Sequence, residues 1–167
     1  LVGASNELPE GEELDALFDR FLLRYWVPYL AEPQNVRRLL VSTGAQAQAS
    51  ITLDELAECQ REVAQVILPD ALFDSLLTLK ERTEEQGFRA SDRRWRQVVD
   101  VLKARAYLDG DDEVTEDHLD VLADVLWQQP KDRPALATLV GTVGNPLNVR
   151  ANEVLDAARE ALSGLGP

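Results

Sequence analysis

The 167 residues carry 30 Asp and Glu against 17 Lys and Arg, a formal net charge of −13. So negative a chain lacks the concentrated positive field that a nucleic-acid backbone or an anionic membrane surface demands, so neither is an expected partner; the same acidity also fits a well-solvated protein from a salt-tolerant or high-GC organism. Apolar residues make up 45% and suffice for a core, and because aromatics are only 6% while Leu, Val and Ala dominate, helices packed on helices are expected over a β-sandwich.

In chain order, residues 1–6 read as an apolar strand that ends in a small polar group before a Pro-broken loop, the pattern by which a buried strand delivers a side chain to a ligand at its carboxyl end. Asn6 is that side chain. A helix is expected over about 12–23, with Leu14, Leu17, Phe18, Phe21 and Leu22 at helical spacing, so Asp19, Arg20 and Arg24 cannot all be core. Tyr25–Leu30 suits a strand that Pro28 demotes to an edge or an end. A short helix follows at about 34–42, then a polar Gly/Ala/Gln connection to Ser50 with the composition of a mobile loop.

From Ile51 the pattern is helical throughout. Thr52-Leu-Asp-Glu55 forms a capping box, with Ile51 placed to staple onto Leu56. Cys59 is the only cysteine, so no intrachain disulfide is possible and a reducing, cytoplasmic setting is expected; its place among Leu53, Leu56, Val63 and Val66 fits a half-buried structural thiol. Pro69-Asp70 ends this helix and caps another to about Gln86, with Leu72, Phe73, Leu76, Leu77 and Leu79 as its apolar side and Gly87 as its stop. Ser91 caps a third, with Trp95, Val98, Val99, Leu102 and Ala106 as the buried stripe before Gly110. Thr115 caps a fourth, with Leu119, Leu122, Val125 and Leu126 inward. Lys131–Gly144 reads as one short helix between turns, and Asn145-Pro146 starts a last helix over about 146–162. No stretch is apolar and long enough to cross a bilayer, and the start does not resemble a signal peptide.

Several side chains invite a functional reading beside a plain one. Asn6 at a strand end either meets a ligand or closes an Asx turn, and Arg20 either reaches a phosphate or pairs with Asp19 or Glu13. Arg93, Arg94 and Arg96 crowd the start of a helix, where a cation opposes the dipole by about 0.3 to 1 kcal/mol. A nearby anion would account for them; a solvated cluster partly offset by Asp92 would as well. His118 has no metal-ligand set around it, and Asp111-Asp-Glu113 lacks the pattern of a calcium loop, so no metal site is expected.

Two blocks, Ala4-Ser-Asn-Glu-Leu-Pro-Glu10 with Phe18-Asp-Arg-Phe-Leu-Leu-Arg24 and then Ser91-Asp-Arg-Arg-Trp95, resemble the MoxR class of AAA+ ATPases, most closely the RavA subfamily. There the first block closes the sensor-1 strand and opens the helix with a D-R-F motif, and the second opens the sensor-2 helix. The resemblance covers roughly residues 1–130 and implies a mainly α chain. Residues 1–45 would be the remnant of an AAA+ α/β core with one or two short strands, 46–130 a helical lid, and 131–167 a helical lead-out toward a further domain.

The resemblance also implies a chemistry. Asn6 (sensor 1) and Arg20 (a finger reaching the adjacent subunit) would be catalytic, and Arg93 (sensor 2) would contact the nucleotide with Arg24 assisting or substituting for Arg20. No G-x-x-x-x-G-K-[ST] occurs, so ATP and Mg would be held by residues outside this chain, which is not itself expected to hydrolyse ATP. The absence of Met agrees with a piece of something longer. The implied whole is a hexameric, chaperone-type motor working with a von Willebrand factor A domain protein. A non-enzymatic acidic helical adaptor, or a related AAA+ branch such as a chelatase subunit, are the alternatives.

Overall fold

The computed structural model describes residues 2–8, 17–42, 44 and 49–144, and among them the chain is helical with no named strand. The α-helices are α1 (Pro33–Val41), α2 (Leu53–Gln65), α3 (Asp70–Glu85), α4 (Asp92–Asp109), α5 (Leu122–Leu126) and α6 (Arg133–Gly144). Short 3-10 turns at Glu116–Val121 and Pro130–Asp132 precede the last two. The expected helix start at 12–16, the connection at 43 and 45–48, and the last helix at 146–162 lie outside the described residues.

Local chemistry sets most boundaries. Thr52 caps α2 as its sequence demands, its hydroxyl accepting from the Glu55 N–H at 3.2 Å while the Glu55 carboxylate accepts from the Thr52 N–H at 2.8 Å. Ser91 caps α4 by accepting from the Arg94 N–H. Gly87 and Gly110, both with φ near +85°, end α3 and α4 in the left-handed region that favours glycine. At α3 the cap is Pro69, so Asp70 lies inside the first turn.

The fourth expected helix is split. His118 occupies the place that Glu holds in an ordinary capping box, its Nδ1 accepting from the Thr115 N–H at 2.9 Å. Its Nε2 therefore carries the proton and faces Asp111 Oδ2 at 3.1 Å. This ring holds the chain in the tighter 3-10 turn until Leu122, where α5 begins.

One core joins α3, α4, α5, α6 and the 3-10 turn before α5, built from Leu72, Leu76, Leu79, Val98, Leu102, Ala106, Leu119, Leu122, Val125, Leu126, Leu136 and Val140. On α3 the buried stripe is Leu72, Leu76, Leu79 and Thr83, whereas Phe73 and Leu77, expected on the apolar side, are exposed. Their positions sit one residue round the helix, on its flank. Helix α6 lies across α3 and α5, and Gly144 passes so close to the 3-10 turn that a Cβ there would meet the Glu116 carbonyl at 2.9 Å. Leu136, Leu139 and Val140 of α6 are part of the same core. Helix α2 packs on α4, and the single bridge Ile67–Glu113 ties its end to the α4–α5 connection.

The strands expected at 1–6 and 25–30 do not form in the described part of the chain. Extended backbone becomes a strand only when a neighbour takes its N–H and C=O groups, and among the described residues no segment forms a β-bridge with either stretch. The helix expected to reach residue 23 gives way to a turn at Asp19-Arg20.

A candidate functional site at the arginine joint

Where that helix stops, its carbonyls are left without helical partners and two arginines take them up. Arg94, in the first turn of α4, is the larger of the two anchors. Its side chain is 2% exposed, yet all its N–H groups are engaged. Nε donates to Asp19 Oδ1 at 3.1 Å, Nη1 to the Leu22 and Val125 carbonyls at 3.1 and 2.7 Å, and Nη2 to the Asp19 and Phe21 carbonyls at 3.1 and 3.4 Å. Nη2 also pairs with the Asp19 carboxylate at 3.0 Å. Burial pulls the Arg94 guanidinium below its ordinary pKa, and Asp19 pulls it back up. Asp19 is held from a second side by the Ser91 hydroxyl, which donates to Oδ2 at 2.8 Å.

Arg24 sews the same segment to α5. Its backbone N–H donates to the Asp124 carbonyl, and its carbonyl accepts from the Trp127 indole N–H, both at 3.0 Å. Its guanidinium donates to the Trp127, Phe21 and Phe18 carbonyls at 2.6, 3.1 and 3.0 Å and lies 3.8 Å over the Phe18 ring. Phe18 meets Trp127 edge to face, with centroids 6.4 Å apart. A buried cation is tolerated when its donors find acceptors: Arg94 engages all its N–H groups, and each guanidinium nitrogen of Arg24 has a carbonyl partner.

These contacts place the residues singled out from the sequence. Arg20 is exposed and lies between Asp19, held by α4, and Phe21, whose carbonyl both buried arginines hold. Arg93 is exposed at the start of α4, one residue before Arg94. Arg20 and Arg93 therefore flank one ion pair, Asp19–Arg94. Asn6 is exposed at a bend that Ser5 makes, its hydroxyl donating to the Glu7 carbonyl at 2.8 Å and accepting from the Glu7 N–H at 3.2 Å. Gly3 runs against the Phe21 ring, where a Cβ would meet Cε1 at 3.1 Å, so the Asn6 stretch lies beside the Arg20 stretch. Arg24, by contrast, is turned inward with its donors committed to carbonyls. Glu13 lies outside the described residues.

Arg94 was hidden in the sequence because an arginine in a cluster reads as solvated. The signal was its spacing: Arg94, Val98, Leu102 and Ala106 recur every four residues and are all buried, so Arg94 belongs to the stripe. Trp95, expected as the core anchor, packs only partly against the core. No group of three His, Cys, Asp or Glu among the described residues is arranged to hold a metal, and Cys59 is a half-buried free thiol. No helix among the described residues is long and apolar enough to cross a membrane.

The site is thus a helical unit fastened by its first-turn arginine to the end of a preceding segment. Residues 71–140 match the AAA lid domain. Residues 1–67 match the MoxR domain in the MoxR-vWA-beta-propeller ternary systems, so the chain is MoxR-class AAA+ sequence, a MoxR-domain segment followed by an AAA lid. It is similar to two proteins of Methanocaldococcus jannaschii. The uncharacterized protein MJ0812 is 31% identical over 161 residues, covering 94% of this chain and 43% of that protein. The uncharacterized protein MJ0079 is 30% identical over 159 residues, covering 95% and 41%. The chain spans less than half the length of these relatives.

Proposed function

We propose that this chain supplies the sensor-1, arginine-finger and sensor-2 residues of a Mg-ATP-hydrolysing MoxR-class motor, with RavA-like features in its S-D-R-R-W block. The observation that carries the reading is the joint: the buried Arg94 fastens the segment bearing Arg20 to the helix opened by Arg93 through the Asp19 carboxylate and the Asp19, Phe21 and Leu22 carbonyls, so two exposed cations stand beside one joint. Phosphoryl transfer to water needs charge stabilisation on the γ-phosphate and a positioned water, and little covalent chemistry from the protein. Asn6 is suited to the water or a phosphate oxygen, since an amide donates without moving a proton. Arg93 is suited to the γ-phosphate in the same subunit, and Arg20 to the nucleotide of the neighbour.

Arg24 is assigned to the joint, because a ligand role would require breaking its carbonyl bonds. Mg and the phosphate cradle are assigned to residues outside this chain. The whole protein is proposed to be a ring, a hexamer, because a trans-acting arginine makes each site shared. Its proposed setting is cytoplasmic, its action chaperone-like, and its partner a von Willebrand factor A domain protein; the MoxR-vWA-beta-propeller match supports that partner.

The test is Arg20→Ala in the whole protein. A trans finger contributes on the order of 10³ to 10⁵ in rate, so turnover should collapse while ATP binding is retained. Mixing this variant with one lacking the phosphate-binding lysine should restore activity, since each supplies what the other lacks at their shared interface. Retention of more than about a tenth of wild-type turnover would remove the finger role.

A further inference from the structure

We infer that Arg94 is a positioning residue for Arg20: it transmits the orientation of the lid to the finger that serves the neighbouring subunit. The inference rests on the reading of Arg20 as a trans-acting arginine. It adds a residue that acts through another, and a direction in which the coupling runs.

The geometry on both sides of Arg20 supports it. The residue before, Asp19, is gripped at its carboxylate by Arg94 and Ser91 and at its carbonyl by Arg94. The two residues after, Phe21 and Leu22, have carbonyls that accept from Arg94. One guanidinium thus holds three carbonyls around the finger, those of Asp19, Phe21 and Leu22, and it is rooted in α4 by its own helix and in α5 through the Val125 carbonyl. The Arg20 backbone cannot shift relative to the lid without breaking several of these bonds. Arg93, the lid residue proposed to read the γ-phosphate, is the next residue in α4. A rotation of α4 that follows Arg93 toward or away from a nucleotide must move Arg94, and with it the backbone of Arg20.

Five donors in a fixed planar fork are needed for this grip, and lysine offers three on a flexible stem. Arg94→Lys keeps the charge but not the register of the segment. A misplacement of about 1 Å costs on the order of 10²-fold in rate, and that is the loss of turnover expected for Arg94→Lys in the whole protein.

Mixing experiments in the whole protein separate positioning from the rival roles. The variant's finger is displaced while its own nucleotide site is intact. Arg94→Lys mixed with the variant lacking the phosphate-binding lysine should regain activity, because that partner contributes a well-placed Arg20. Mixed with Arg20→Ala it should gain nothing, because both lack a working finger. The reverse pattern, rescue by Arg20→Ala but not by the lysine-deficient variant, would mean that Arg94 acts on the nucleotide of its own subunit and would overturn the inference. Turnover of Arg94→Lys within threefold of wild type would overturn it too.

Failure of the underlying finger reading has its own signature: Arg20→Ala is then not rescued by the lysine-deficient variant, whatever Arg94→Lys does. Should Arg94→Lys not fold, judged by its melting profile, Asp19→Ala takes its place in the same mixtures. There Arg94 keeps its four carbonyl acceptors while losing its carboxylate, and a smaller loss with the same pattern of rescue is expected. Loss of folding in both variants, or loss of turnover that neither mixture restores, would assign the contact to stability alone and overturn the inference.

Discussion

Arg24 and Tyr25 are adjacent in the chain and opposite in environment. Arg24 is 6% exposed, bonded through its backbone and its guanidinium to the end of α5. From Tyr25 onward the side chains face outward: Val27 is 85% exposed and Tyr29 fully so, and Leu39, Leu40 and Val41 of α1 are exposed as well. Apolar content does not separate the two stretches, since Tyr25–Leu30 is as apolar as any stripe of the lid. What separates them is whether the surface that would cover them is among the described residues. Phe18 and Leu22 find the lid and are half-buried against its core; Val27 and Tyr29 find nothing there.

The sharpest way to break that contrast is at the joint. Removing one partner of a buried, hydrogen-bonded charge costs about 3 to 5 kcal/mol, because the groups left behind stay unpaired. Arg94→Ala should fall in that range by urea unfolding of the chain, since it strands the Val125 and Leu22 carbonyls along with Asp19. Its neighbour supplies the control: Arg93→Ala, at an exposed site, should stay within about 0.5 kcal/mol of wild type. Equal effects at the two positions would show that the joint opens freely to water.

A smaller cut tests the other thread. Trp127→Phe keeps the edge-to-face partner of Phe18 but deletes the indole N–H that donates to the Arg24 carbonyl. A buried carbonyl left without a donor costs about 1 to 3 kcal/mol, and a loss in that range is expected in the same unfolding measurement. The exposed stretch should behave differently. Tyr29→Ser and Val27→Ser should each change the stability of this chain by no more than about 0.5 kcal/mol, since neither removes a buried contact. A larger loss would mean that the stretch is covered after all.

The same contrast explains what could be read in advance. The lid was accessible from spacing and caps because its partners lie close together in sequence: Thr52, Ser91, Gly87 and Gly110 each act within a few residues, and Leu119, Leu122, Val125 and Leu126 are all buried. Phe73 and Leu77 misled because hydrophobicity says which residues prefer a core, not how wide the facing surface is. The strands failed for lack of a pairing neighbour, which no local pattern reveals. In the site, Asn6, Arg20 and Arg93 stand out only through their motifs, because an exposed polar side chain carries no packing signature. Arg94 escaped for the opposite reason. It is a charge in a core stripe, and its bonds reach residues 72 to 75 positions away, which a periodic reading cannot see.

The smallest effect concerns the capping box of α2, which lies toward solvent yet still shifts a titration. The Thr52 N–H and hydroxyl both donate to the Glu55 carboxylate, and these bonds hold its pKa below the ordinary glutamate value, backbone donor first. A carboxyl depressed in the folded state adds stability that is fully present above its unfolded pKa and lost as pH falls through the lowered folded one. The box should therefore be complete at neutral pH and weaken only below the usual glutamate range. The Thr52 amide proton reports this directly by NMR, because its shift follows the bond that the carboxylate accepts. It should titrate with a midpoint below that of an exposed glutamate, and Glu55→Gln should abolish the titration without unwinding α2. A midpoint at or above the ordinary value would mean that the carboxylate is not held in solution, and would leave the Thr52 hydroxyl as the only cap on this helix.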